Sequence, residues 1–142
     1  MHKSKRSGFT LVELAVDVVI IGVLAAFAVP RFMASVERSK AAEAFNYLSS
    51  VQAAQERFHA RQGTYADKLE SLDIKMTPPK YFTAGTLAAG KTGNLQDSWT
   101  LTLTRTGASA GYGEYTVTYT QEGYDGENST IKDKDSINPM QT

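Results

Sequence analysis

Two hydrophobic patterns of different kind follow each other along the first 62 residues of the chain. Residues 9–29 read FTLVELAVDVVIIGVLAAFAV, and almost all of these 21 residues are apolar. An α-helix needs about 20 apolar residues to cross a hydrocarbon core of about 30 Å. We therefore predict a transmembrane helix over residues 9–30, which continues as an amphipathic helix over residues 31–62.

The amphipathic part carries an apolar stripe whose members recur every three or four residues, the spacing of one helix face. The members of this stripe are Phe32, Val36, Ala41, Phe45, Leu48, Val51, Ala54 and Phe58. Pro30 would break a soluble helix, because it lacks a backbone donor, but a membrane helix tolerates a kink. Gly63 stands where a left-handed C-terminal cap would end the helix.

Two later segments alternate large apolar residues with threonine, which is the period of a half-buried β-strand. They are Trp99–Arg105 and Tyr115–Gln121, and the glycine-rich segment Gly107–Gly113 between them predicts a hairpin loop. One face of this hairpin would carry Trp99, Leu101 and Leu103 opposite Tyr115, Val117 and Tyr119. Since the helix stripe can cover that face, we expect an α+β fold in which the long helix packs against a small antiparallel β-sheet.

The rest of residues 63–142, which we predict to form an extracytoplasmic globular head, gives weaker signals. One short helical turn is expected within Asp67–Leu72 and a short strand over Tyr81–Thr83. From Glu122 onward the sequence is polar and acidic. There we expect a loop, an edge strand near Thr130–Lys132, and then a loose tail.

Charge separates the N-terminal tip from the rest of the chain. The formal net charge is zero, but Lys3, Lys5 and Arg6 precede residue 9, where no acidic residue occurs. Residues 1–8 are too short and polar to belong to a fold, and they are typical of a leader that remains cytoplasmic. The slightly acidic remainder does not favour bulk attraction of nucleic acid. The absence of cysteine excludes disulfides, thiolate metal sites and thiol nucleophiles.

The segment from Gly8 to Leu14, GFTLVEL, follows the basic leader and precedes VVIIGVLAAFAVP. Together these segments resemble the N-terminus of prepilins, a family that comprises type IV pilins and the pseudopilins of type II secretion systems. The resemblance implies the type IV pilin fold. It also implies that a prepilin peptidase removes residues 1–8 by cutting between Gly8 and Phe9, and that the new amine of Phe9 is then methylated.

The resemblance further implies roles for several residues of the apolar segment. Glu13 would pair with the N-terminal ammonium of a neighbouring subunit, because a lone carboxylate in hydrocarbon is costly. Asp17 departs from the family pattern and lies one helical turn after Glu13. One of the two carboxylates would then be neutral unless a second cation is present, or Asp17 would mark a specialised subunit that contacts a different partner. Gly22 and Pro30 are expected to mark points where the helix bends.

A structural, non-enzymatic subunit is the function that the resemblance implies. Its partners would be itself or other pilins in a filament, the prepilin peptidase, an inner-membrane assembly platform and, before assembly, membrane lipid. The location would be the bacterial inner membrane and then a cell-surface filament. Ala54–Tyr65, AQERFHARQGTY, resembles the helix end of PilE-like pilins. A pseudopilin of a type II secretion system stays an open alternative.

Two simpler interpretations of the N-terminus compete with this one. A secretory signal peptide would be cut after Ala26-Phe27-Ala28, a small-x-small site, and would release a soluble domain. A plain single-pass anchor would need no Gly-Phe junction and gives no reason for Glu13. The acidic residues Glu13 and Asp17 inside the apolar stretch argue against the signal peptide.

The head contains two candidate binding features. Asp125, Glu127 and Asp133 offer oxygen ligands suited to Ca²⁺, although their spacing does not match the twelve-residue calcium loop. Lys75, Lys80 and Lys91, with Tyr81 and Phe82, could form a phosphate and stacking patch for DNA, which a minor pilin acting in DNA uptake or adhesion would need. His59 alone makes neither a metal site nor a catalytic dyad, and we expect it to be a solvated helix residue.

Overall fold

A computed structural model describes residues 7–107 and 109–141, so residues 1–6 of the predicted leader lie outside it. The main helix is α1 (Leu11–Gln62), and two short 3-10 helices cover Leu69–Ser71 and Thr130–Asp133. The strands are β1 (Phe82–Ala84), β2 (Ala88–Ala89), β3 (Trp99–Arg105), β4 (Thr116–Thr120) and β5 (Gly123–Tyr124). The α+β prediction of one long helix and a small antiparallel sheet is therefore confirmed.

Two compact units divide the chain, the first ending at Met33 and the second beginning at Ala34. Within the first unit, α1 has the length and composition of a membrane-crossing helix, with a mean hydropathy of 2.5 over its most apolar window and none of that window buried. Large apolar side chains face outward all along it, from Leu11 to Phe32. The described residues of this unit form no core of their own, so their apolar surface requires a lipid or protein environment.

In the second unit, α1 supplies one side of a single hydrophobic core. Buried side chains follow the predicted stripe at Ala41, Phe45, Leu48, Val51 and Ala54, and Phe58 packs against them partly buried. Phe32 and Val36 were expected to belong to the stripe, but they remain 70% and 38% exposed. The prediction was wrong there because burial begins only at Glu37.

The end of α1 is fixed by a cap and by one amide side chain. Gly63 has a φ of 74°, and its N–H donates to the carbonyl of His59 at 2.8 Å, as the sequence predicted. Gln55 is fully buried. It accepts from the backbone N–H of Ala66 at 2.8 Å and donates to the carbonyl of the same residue at 3.1 Å. The chain is thereby turned back along the helix.

The sheet is antiparallel, with the order β1-β3-β4-β5 and with β2 paired to the other half of β3. Leu101 lies opposite Tyr119 and Leu103 opposite Val117, and all four are buried. The ring of Tyr119 meets Phe45 of α1 edge-on at 6.0 Å between centroids. The opposite face carries three facing threonine pairs, Thr100 with Thr120, Thr102 with Thr118 and Thr104 with Thr116.

The C-terminal region differs from the sequence prediction. Thr130–Lys132 was expected to be an edge strand, but it lies in a 3-10 helix. The reason is that Thr130 bonds to the side chain of Thr116 rather than to a backbone ladder, and the following turn buries Ile131 completely. The predicted loose tail is also wrong, since Ile137 and Asn138 are buried in the head.

Candidate assembly and binding sites

The first turn of α1 is closed by a reciprocal pair of hydrogen bonds. The backbone N–H of Thr10 donates to Oε2 of Glu13 at 3.1 Å, and the backbone N–H of Glu13 donates to Oγ1 of Thr10 at 3.1 Å. This is a capping box, in which two helix-end donors are satisfied by one hydroxyl and one carboxylate. Glu13 therefore has a partner within its own chain.

The capping box was not predicted, although its signature is present in the sequence as Thr10-Leu11-Val12-Glu13. The intramembrane charge of Glu13 suggested an external partner, whereas its carboxylate also has this local role. Asp17, one turn later, is exposed on the same helix. The pairing of Glu13 with a neighbouring subunit and the role of Asp17 stay predictions.

The residues predicted for processing and bending are open to their surroundings. Apart from the adjoining residues and, for Gly22, the nearby backbone of its own helix, no described atom lies within 4 Å of a Cβ built on Gly8 or on Gly22, and Phe9 is 81% exposed. A peptidase could therefore approach the Gly8 backbone closely. α1 continues as an α-helix through Pro30. The proposed bends at Gly22 and Pro30 stay predictions.

A buried ionic cluster joins α1 to the sheet inside the head. Nε of Arg105 lies 2.6 Å from Oε1 of Glu37, and Nη2 lies 3.2 Å from Oε2. The hydroxyl of Tyr115 donates to Oε1 of Glu37 at 2.7 Å. Arg105 also donates to the carbonyl of Thr106. Glu37 and Arg105 are each 1% exposed, and Tyr115 is fully buried.

Burial and hydrogen bonding act in opposite directions on the cluster. Burial alone would raise the pKa of Glu37, which lies in the head outside the predicted membrane segment. The bonds from Arg105 and Tyr115 outweigh burial and hold this pKa below its ordinary value. Burial, reinforced by the bond to Glu37, raises the pKa of Tyr115 far above its ordinary value. Glu37 is therefore an anion and Tyr115 a neutral donor at neutral pH.

The sequence contains a signal for this cluster, although the cluster was not predicted. Glu37 lies four residues before Ala41, so it falls on the buried helix face when the stripe is extended backward. Arg105 shares the inward alternation of Leu101 and Leu103. Two opposite charges on two inward faces predict a buried pair.

The acidic loop does not form a metal cluster in the described part of the chain. Asp125 accepts hydrogen bonds from the backbone N–H and the side-chain amide of Asn128, at 3.2 and 2.7 Å. Glu127 and Asp133 are exposed. No group of three or more His, Cys, Asp or Glu that could hold a metal ion occurs among the described residues. The described geometry therefore adds no support to the predicted calcium site.

The predicted DNA patch is divided by the fold. Phe82 is only 8% exposed, which removes it from any stacking surface. Lys91 lines a surface groove together with Asp125 and Glu127, so acidic groups surround it. Lys80 and Tyr81 remain accessible in the segment before β1.

His59 was expected to be a solvated helix residue, but it is partly buried. Its Nε2 lies 2.9 Å from the carbonyl oxygen of Gln96. Its ring lies 4.4 Å from that of Tyr65, measured between centroids. These contacts give His59 a structural role near the end of α1.

Two family profiles match different parts of the sequence. Residues 3–29 match the prokaryotic N-terminal methylation motif. Residues 30–130, which include most of the head, match the family described as the type IV minor pilin ComP, DNA uptake sequence receptor.

Individual relatives are pilins and secretion proteins. Fimbrial protein EcpC of Eikenella corrodens is 32% identical over 112 residues, which are 78% of this chain and 71% of that protein. Type IV major pilin protein PilA of Myxococcus xanthus is 43% identical over 63 residues, 44% of this chain but 29% of PilA. Type II secretion system core protein G of Pseudomonas aeruginosa is 32% identical over 79 residues, 56% of each protein.

The second and third of these matches thus span less than two thirds of the relatives' length, and that to EcpC spans more. The fold, the methylation motif and the match over residues 30–130 agree with one another. The chain therefore belongs to the type IV pilin family, and within it to the minor pilin group described as ComP.

Proposed function

We propose that this chain is a minor subunit of a type IV pilus that binds DNA for uptake. The observation that carries the proposal is the difference between its two units. One is a helix whose apolar surface is exposed, from Leu11 to Met33. The other is a head with its own closed core, matched by a family described as a DNA uptake sequence receptor.

The exposed apolar surface supports assembly through the helix. Before assembly, lipid covers this surface, and in the filament the helices of neighbouring pilins replace the lipid. Because lipid is as apolar as the side chains, close packing is the driving term for this exchange. The small residues Gly22, Ala25, Ala26 and Ala28 permit neighbouring backbones to approach.

Processing precedes assembly in this proposal. Prepilin peptidase cuts after Gly8, where no side chain obstructs the approach, and Phe9 becomes the methylated N-terminus. The new ammonium then lies four residues from Glu13 along the chain. Glu13 changes from capping its own helix to pairing with the ammonium of a neighbour, which removes an unpaired charge from the apolar interior.

A pseudopilin role in type II secretion is the second candidate, favoured by the similarity to core protein G over 79 residues. The match over residues 30–130 to the minor pilin family covers more of the head. We therefore prefer DNA uptake to secretion.

Two measurements test the proposal. In cells that contain prepilin peptidase, intact mass and N-terminal sequencing should show a chain that starts at methylated Phe9. A start at Val29 would instead identify a signal peptide and contradict the assembly proposal. Separately, the full chain in non-ionic micelles should bind duplex DNA with an affinity that falls as salt rises. Absence of binding at low salt would contradict the DNA role alone.

A further inference from the structure

Two lysines from different elements lie beside one aromatic ring on the head. Nζ of Lys40, on α1, lies 4.4 Å from the ring centroid of Tyr81. Nζ of Lys80, in the segment before β1, lies 5.8 Å from the same centroid. Lys80 is exposed, and Lys40 and Tyr81 are partly exposed. Two positive charges that are 40 residues apart in sequence therefore share one place on the surface.

Among the residues that the structure describes, neither ammonium group has an ion-pair partner. No carboxylate of the described residues lies within 4.0 Å of Nζ of Lys40 or Lys80, since the ion pairs there are Arg57 with Asp73 and Arg105 with Glu37. Glu37 is the carboxylate whose pKa Lys40 influences. Because that carboxylate is already held by Arg105 and Tyr115, the two lysines keep their charge for an external anion.

The ring of Tyr81 serves the lysines rather than a nucleic-acid base. Besides the two lysines, the guanidinium carbon of Arg105 lies 5.3 Å from the ring centroid. All three cations lie within about 6 Å of the centroid, the range in which cation–π attraction is favourable. Tyr81 is therefore a positioning residue that fixes Lys40, and the arrangement favours contact with phosphates over base stacking.

We propose that Lys40 and Lys80 contact the phosphate backbone of double-stranded DNA and that Tyr81 positions Lys40 for this contact. The inference rests on the proposed DNA-uptake function and gives it a location in the head. Lysine contacts to phosphate fix register and orientation and contribute salt-dependent affinity, but they do not read the base sequence. Sequence selection must come from other residues of the head.

The experiment measures the binding of a fluorescein-labelled duplex by the full chain in non-ionic micelles, using fluorescence anisotropy between about 50 and 200 mM salt. Lys40→Gln and Lys80→Gln should each reduce the slope of log affinity against log salt by about 0.9, the value for one lost duplex phosphate contact. Lys91→Gln is the matched control, because it removes the same charge from a lysine beside Asp125. It should leave the slope unchanged.

Conservative variants separate charge from folding. Lys40→Arg and Lys80→Arg should keep the slope of the unmodified chain. Tyr81→Phe keeps a ring for Lys40 and should bind normally, whereas Tyr81→Leu should weaken binding about two- to five-fold, as expected for the loss of one cation–π contact. The near-ultraviolet signal of the single tryptophan, Trp99, reports whether each variant is folded.

The possible outcomes distinguish this inference from the function on which it rests. If the unmodified chain binds duplex DNA and the Lys40→Gln and Lys80→Gln variants keep its salt slope, the location is wrong and the DNA role stands. If the Lys91→Gln control lowers the slope equally, binding follows total charge, and the location is again wrong. If the unmodified chain does not bind at low salt, the DNA role itself is wrong.

Discussion

Glu37 and Arg105, which are 68 residues apart in sequence, meet in a buried ion pair with 2.6 Å between Oε1 and Nε. Glu37 is the first buried residue of α1, and Arg105 ends β3. The pair therefore ties the start of the helix–sheet core to one end of the central strand. Buried pairs add little stability in themselves, but the loss of one partner leaves an uncompensated charge in the core.

Glu37→Gln should lower the free energy of unfolding of the head by about 3–5 kcal/mol, because Arg105 would then be buried without its counter-charge. Urea unfolding of the full chain in non-ionic micelles, followed by the fluorescence of Trp99, measures this loss. Glu43→Gln, at an exposed position of the same helix, should change stability by less than about 0.5 kcal/mol. A loss at Glu37 no larger than that of the control would contradict a structural role for the pair.

The double replacement Glu37→Leu with Arg105→Leu removes both charges together. Because apolar residues of comparable volume can substitute for a buried pair, the double variant should be more stable than either single variant. The same urea unfolding measurement, made on the unmodified chain, the two single variants and the double variant, gives the coupling energy of a double-mutant cycle. Additive losses from the two single replacements would mean that the side chains act independently.

The pH dependence of stability should carry the signature of Glu37. Its pKa in the folded head is lower than its ordinary value, so the folded state binds this proton less tightly than the unfolded chain does. The stabilisation is fully present above the unfolded value of about 4.3. It is lost as the pH falls from there through the folded pKa. The urea midpoint should therefore drop at acid pH, and drop less steeply in Glu37→Gln.

Asp73 and Asp125 also have lowered pKa values, because Arg57 and Asn128 bond to their carboxylates. Because of these two carboxylates, the urea midpoint of the Glu37→Gln variant should still fall somewhat at acid pH. Parallel midpoint curves for the variant and the unmodified chain would show that Glu37 contributes nothing to acid sensitivity.

Variants of Glu13 can separate its capping role from its charge. Glutamine also closes a capping box, so Glu13→Gln keeps the first turn of α1 and removes only the charge. If charge pairing between subunits drives assembly, Glu13→Gln should lower the sheared surface-filament fraction as strongly as Glu13→Leu. An immunoblot of the sheared and membrane fractions measures the result. Filaments at normal levels in Glu13→Gln but not in Glu13→Leu would assign the role to the cap.

Asp17→Asn is the matched variant one turn further along the helix. It removes a charge of the same sign from the same face without touching the capping box. If Asp17 has a cationic partner in the filament, this variant should also reduce the surface fraction. Unchanged filaments would show that Asp17 is dispensable for assembly.

Ile137→Ala should destabilise the head by about 2–5 kcal/mol, the usual range for truncating a fully buried aliphatic side chain. Ile137 is 0% exposed, whereas Met140, three residues later, is 57% exposed. Met140→Ala is therefore the control and should be nearly neutral. Equal stability of the two variants would restore the sequence-based interpretation of this segment as a loose tail.

Elements that repeat one period over many residues could be predicted from the sequence. Examples are the continuous apolar run of the first unit, the helical stripe from Ala41 to Ala54, and the alternation of apolar residues with threonine in β3 and β4. In each, many residues contribute the same preference, so that a single exception does not alter the result. Phe32 and Val36 fit the stripe by period, but period alone cannot show where the sheet begins to cover a helix.

Features that depend on a single long-range partner were missed. Glu37 was not singled out from the sequence, because its burial depends on an arginine 68 residues away. The 3-10 helix at Thr130–Asp133 depends on the hydroxyl of Thr116, which accepts from the backbone N–H of Thr130, and Lys40 joins the Tyr81 site only through the helix–sheet packing. Charged and hydroxyl side chains gain their roles from neighbours that local pattern does not specify.

The head is closed by contacts that no reductant can break. Nη2 of Arg38 donates to the carbonyl of Gln141 at 2.9 Å, across 103 residues of chain, and the sequence contains no cysteine. Closure through this contact therefore requires no oxidising enzyme. It can also open and close at equilibrium, so that heat and denaturant govern how tightly the C-terminal segment is held, while the redox state of the surroundings does not.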